Sequence, residues 1–215
     1  MKKLLFIIAI CFSFSTIYGQ VKVLEVTHYI FPEFTKGTVL MKTGVRNEAL
    51  LNYNSLTEEM IFDTKGKKLA MAQLDQVDTV YIGNRKFFLY NNKFVELLHK
   101  SKYELYVEHK CSVKDPGKPS AYDGTSQTSA TTTYSSYLSG GQVYELKLPE
   151  GVETKPYTEF WFKKDGKTTK FLSIRQLMKQ FEDKEDDFKE FAKENNVKYE
   201  NQASVVALVK FMETK

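Results

Sequence analysis

Val80-Tyr-Ile-Gly-Asn-Arg-Lys-Phe-Phe-Leu-Tyr-Asn-Asn-Lys-Phe-Val95 holds two turn dipeptides, Gly83-Asn84 and Asn91-Asn92, each flanked by apolar and aromatic runs. Glycine and asparagine tolerate the left-handed backbone of two-residue hairpin turns, so the stretch reads as consecutive antiparallel strands. The same spacing continues on both sides. Strands are expected at 38–42, 49–54, 59–62 and 68–72 before it, and at 93–99 and 103–113 after it. Further on, a strand at 142–148 precedes a hairpin in which Asp165-Gly166 joins 159–164 to 168–172. No capped helical period interrupts these strands, which excludes parallel crossover units and a dinucleotide-binding fold.

The last forty residues change period. Ser173-Ile-Arg-Gln176 is a capping-box pattern, and Ile174, Leu177, Met178 and Phe181 form one helical stripe. A second helix carries Phe188, Phe191 and Ala192, and a third starts at Asn201 with Val205, Leu208, Val209 and Met212 buried. The fold class expected is therefore α+β: an antiparallel β-sheet or partly closed barrel over 20–172, followed by a cap of three short helices over 173–215. With 215 residues, 42% hydrophobic and 27% charged, the chain has material for one core and is neither disordered throughout nor repeatedly membrane-spanning.

Residues 1–19 read as a secretory signal peptide: Lys2 and Lys3, an apolar run from Leu4 to Phe14, then a polar end with the small residue Gly19. Cleavage is expected between Gly19 and Gln20. The run is shorter than the roughly 20 residues of a spanning helix. Ile10 before Cys11 is not the small residue that a lipidation site needs, so no lipid anchor is expected. Without Lys2 and Lys3 the charge is near neutral, 29 basic against 27 acidic residues, which argues against a nucleic-acid partner. Cys111 is then the only cysteine and has no internal disulfide partner. It alternates in phase with Tyr103, Leu105, Val107 and His109, so it is expected on one apolar strand face.

In residues 112–141, sixteen of thirty are Ser, Thr or Gly, a composition that reads as a flexible excursion between strands. Its Tyr122, Tyr134 and Tyr137 are candidate partner-binding residues, ordering as they dock. Trp161 is the fourth candidate. It takes the strand face opposite Phe160 and Phe162, where it stacks on a sugar ring if exposed or otherwise packs under the C-terminal helices. Asp78-Thr79-Val80 resembles the O-glycosylation signal of exported bacterial proteins and marks Thr79, placed just before a strand.

The candidate catalytic and metal-binding groups are the histidines, Cys111 and an acidic run. His28, His99 and His109 lack zinc spacing, and a metal site at His109 and Cys111 needs His99 and a carboxylate brought in by the fold. The acidic run Glu182-Asp-Lys-Glu-Asp-Asp187 lacks the ligand spacing of a calcium loop and reads as helix-terminal charge. No catalytic residue, metal or cofactor is assigned.

Phe34-Thr-Lys-Gly-Thr-Val39, Leu51-Asn-Tyr-Asn54, Val80-Tyr-Ile-Gly83 and the ending Phe191-Ala-Lys-Glu-Asn195 resemble exported proteins of Bacteroidetes-type bacteria. The resemblance implies envelope export and brings no established activity. The expected function is a non-enzymatic binding or assembly module, periplasmic or secreted, with an envelope protein or glycan as partner. The alternatives are an exported hydrolase whose site assembles only in three dimensions, and a small-ligand carrier inside a closed barrel.

Overall fold

A computed structural model describes residues 28–114, 118–119, 125–126 and 153–215. The Gly19/Gln20 junction, Tyr122, Tyr134, Tyr137 and the expected strand at 142–148 lie outside them. Strands β1 (Thr35–Met41), β2 (Arg46–Asn54), β3 (Glu59–Thr64) and β4 (Lys67–Ala70) form one antiparallel meander. A second consists of β5 (Val77–Ile82), β6 (Arg85–Tyr90), β7 (Lys93–Lys100) and β8 (Glu104–Lys114). The meanders join where β5 pairs with β1. The short strands β9 (Lys118–Pro119) and β10 (Thr125–Ser126) pair with each other. Then β11 (Glu153–Lys164) pairs with β8 and β12 (Lys167–Phe171) with β11, completing a sheet of ten strands.

Turn chemistry accounts for the hairpins. Asn91 and Asn92 have φ of 50° and 60°, and Asp165 and Gly166 have 50° and 77°, left-handed values at both central positions that match the twist of the flanking strands. The composition change at Ser112 does not end the strand, because β8 runs on to Lys114 against the long β11.

The barrel expectation is corrected: among the described residues the ladder stays open, with β12 and β4 as its edges. It nevertheless curls. A flat sheet would put β2 about 14 Å from β6, three strand spacings away. Yet the Tyr53 ring on β2 stacks on Phe87 of β6 at 6.2 Å and meets His109 of β8 edge-on at 6.4 Å. The inside of this curl holds Val39, Leu51, Tyr53, Met60, Val80, Ile82 and Phe87. Gly37 makes the curl tight, since a Cβ there would lie 2.5 Å from the Tyr81 carbonyl oxygen and 2.7 Å from Leu51. Gly37→Ala is therefore expected to cost about 1–3 kcal/mol, read as a lowered urea midpoint at unchanged slope.

The three-helix expectation is also corrected. α1 (Ile174–Met178), a 3-10 stretch (Lys179–Lys184) and α2 (Glu185–Glu194) form one helical run, kinked at Phe181 where φ is −133°. α3 (Gln202–Glu213) is separate and is capped by Asn201, whose side chain accepts from the Ser204 amide. At the first helix start, Ser173 Oγ accepts from the Gln176 amide, and Gln176 Oε1 accepts from Leu172 N, one residue before the cap. The acids Glu185, Asp186 and Asp187 occupy the first turn of α2, where the helix dipole favours them. The helices cover the second core with Leu177, Phe181, Phe188, Val205, Leu208, Val209 and Met212, against Leu105, Val107, Phe160, Phe162 and Phe171 of the sheet. Glu213 ties α3 to the sheet, accepting from the Tyr103 amide at 2.9 Å and lying 3.0 Å from His99 Nε2.

Candidate functional site

The sheet carries two polar arrangements. The first lies in a cleft of about 680 Å³ between the curl, the β11 end of the sheet and the approach to α3. Arg85 opens β6, Glu96 sits mid-β7 and His109 lies on β8, and the register of these three adjacent strands puts them on one face. Arg85 Nε donates to Glu96 Oε1 at 2.6 Å and Nη2 to Oε2 at 2.5 Å, a two-pronged pair. His109 Nε2 approaches the same Oε2 at 2.6 Å and the Arg85 Nη2 at 3.0 Å. Only donation from Nε2 to the carboxylate fits the shorter contact, since an unprotonated nitrogen would set its lone pair against that oxygen.

Glu96 is 5% exposed and needs these partners. Burial pushes its carboxyl pKa up, but the hydrogen bonds from His109 and Arg85 outweigh that and hold it below the usual 4.5. The guanidinium also lies over Phe31 at 4.8 Å and Phe87 at 5.4 Å. The Nε2 hydrogen bond of His109 thus goes to the Glu96 carboxylate rather than to a hydroxyl or thiol. Ser55 Oγ, which lines the same cleft, donates to the His28 carbonyl instead. The arrangement neutralises buried charge and anchors three strands to one another.

The second arrangement is on the sheet face turned away from the helices. Phe160 and Phe162 go into the helix-covered core, so Trp161 between them emerges on the other side. The expectation that it packs under the helices is corrected. It is half-buried, opposite Tyr106 on β8 and Lys170 on β12, with Tyr90 tilted against it at 5.0 Å. Its Nε1 donates to Glu108 Oε2 at 3.2 Å, and the Lys170 ammonium lies 5.3 Å from its ring centre. Phe88 meets Tyr106 edge-on at 6.4 Å and extends the aromatic row to β6.

Paired charges border this shelf. Lys110 Nζ lies 3.4 Å from Glu58, 3.3 Å from Glu108 and 3.3 Å from Glu159. Burial works against that ammonium, yet the three carboxylates outweigh it and raise its pKa above the usual lysine value. Lys93 pairs with Glu58, Lys170 with Glu159 at 2.6 Å and Lys163 with Glu104 at 3.2 Å. Glu104 also accepts from the Tyr106 hydroxyl, and that bond is the main reason its pKa falls below the usual value.

Of the other residues singled out from sequence, Thr79 lies inside β5 rather than before it and is 2% exposed, its hydroxyl donating to Asp78 Oδ2. The folded chain does not offer it to a glycosyltransferase. Cys111 is half-buried and free, and burial raises its thiol pKa. His99 and His109 go to different partners, Glu213 and Glu96, and the described residues contain no cluster of potential metal ligands. Arg85 and Glu96 were not among the sequence candidates. Glu96 left one legible sign, an acid in the row Phe94, Glu96, Leu98 on a single strand face.

No helix among the described residues is long and apolar enough to cross a membrane. Compared with protein-family models, curated proteins and solved structures, the chain matches none.

Proposed function

We propose that the chain is an exported, non-enzymatic binding or assembly module of the bacterial envelope, periplasmic or secreted, and that it binds through the outer face of its sheet. The observation that carries this reading is the shelf of Phe88, Tyr90, Tyr106 and Trp161. Large aromatic rings remain partly uncovered on the outer face while the helices seal the opposite one. Aromatic groups with one polar end suit an interface that is wet until a partner arrives. The cleft at Arg85, Glu96 and His109 is the one feature that speaks for a hydrolase, and there the charged groups saturate one another. The carrier alternative has little to rest on, since the ladder stays open.

Cell fractionation tests the reading. The wild-type chain, starting at Gln20 by N-terminal sequencing, is expected to stay with the envelope fraction. A chain with Tyr90→Ala and Trp161→Ala is expected to be released into the soluble extract with its fold intact by circular dichroism. Equal retention of the two, or a retained Met1, would overturn it.

A further inference from the structure

We infer that the corner at Trp161 and Tyr90 is a subsite for one ring of a neutral glycan, an assignment that rests on the binding-module reading and names its ligand. The two rings pack on one another at 57° with centroids 5.0 Å apart, so the space for a sugar is not between them but in the cavities that both of them line. Trp161 and Tyr90 stand between two small cavities. One, of about 260 Å³, is lined by Phe88, Tyr106, Val95 and Lys163 as well as the corner. The other, of about 230 Å³, is lined by Lys93, Glu108, Lys110 and Lys170. Lys170, whose ammonium lies 5.3 Å from the indole ring centre, borders only the second of them.

Both spaces are smaller than the roughly 300–1,000 Å³ of drug-sized pockets and suit single rings rather than a folded partner. A pyranose presents an apolar face of C–H groups and a rim of hydroxyls that each donate and accept. The aromatic walls match the face. The rim is matched by Lys93, Lys110, Lys163 and Lys170 with Glu58, Glu104, Glu108 and Glu159, donors and acceptors whose formal charges cancel. An acidic glycan or a nucleic acid would meet no net positive field here, whereas a neutral sugar meets donors and acceptors in equal number along the rim.

Trp161 is the only tryptophan in the chain, so indole emission reports on this corner alone. The mature chain is titrated with hexamers of N-acetylglucosamine, glucose and mannose, and with an oligogalacturonate of equal length. At least one neutral hexamer is expected to shift the emission saturably, with an affinity that added salt leaves unchanged. Tyr90→Ala is expected to weaken that binding about tenfold at unchanged melting temperature, and Tyr90→Phe to bind as wild type. Emission unmoved by all three neutral hexamers, or binding confined to the acidic oligomer and abolished by salt, would overturn the assignment. If emission stays unmoved while the shelf variant is still released from the envelope, the glycan is wrong and the binding module stands.

Discussion

A chain ending at Leu172 is expected to show no cooperative thermal transition. The cut removes Leu177, Phe181, Phe188, Val205, Leu208, Val209 and Met212, all at most 1% exposed. Each contributes about 1.5–3 kcal/mol when fully buried, against a typical total stability of about 5–15 kcal/mol. The sheet residues beneath, Leu105, Val107, Phe160, Phe162 and Phe171, would then face water across three adjacent strands of an open sheet. Leu208→Ala, a milder probe of the same layer, is expected to cost about 2–5 kcal/mol. A sharp, near-native transition in the truncated chain would show instead that the sheet folds without its cover.

The second large effect is expected at Glu96. Glu96→Gln leaves Arg85 without its counter-charge in the cleft, a loss of about 3–5 kcal/mol at neutral pH. The pH dependence has a definite sign. The Glu96 carboxyl has a folded-state pKa below its usual 4.5, so the ionised form stabilises the fold. That contribution is fully present above the unfolded value and is lost as pH falls through the folded one. Glu104 and Glu159 are lowered too, so the wild type destabilises on acidification through several groups at once. The difference between wild type and variant isolates Glu96. In urea unfolding the gap should be wide at pH 7 and should shrink progressively as pH falls below 4.5 and through the lower folded-state value; a gap independent of pH would mean that the carboxylate charge is not what the site uses.

Sequence and structure agree most closely where local chemistry decides the backbone. The Gly83, Asn91-Asn92 and Asp165-Gly166 turns, the Ser173 and Asn201 caps and the alternation of Phe160, Trp161 and Phe162 were all legible. Disagreement arises where distant parts meet. Whether ten strands close or stay open depends on contacts such as Tyr53 with His109, which no local period encodes. The acidic run over 182–187 reads as a gap between a helix ending at Phe181 and one carrying Phe188. The backbone instead tightens to 3-10 geometry and continues. The ion pair of Arg85 and Glu96 is hidden for a related reason, since eleven residues and a hairpin separate its partners. The segment before β1 was invisible because it is held by Asn52, whose side chain bonds both backbone groups of Phe31. Of the four residues proposed for binding, only Trp161 lies among the described residues; alternation sets it opposite Phe160 and Phe162, but which face the helices cover is decided by the tertiary packing.

The central claim is that the outer sheet face, and not the helical cover, meets a partner in the envelope. Lysine footprinting tests it most directly, comparing acetylation of the purified mature chain with that of the same chain in intact cells. Lys93, Lys163 and Lys170 border the shelf, while Lys179 and Lys193 lie on the helices. The account predicts slower acetylation in cells at the three shelf lysines and unchanged rates at the two helical ones. Protection of the helical lysines with the shelf left open, or equal rates everywhere, would contradict it.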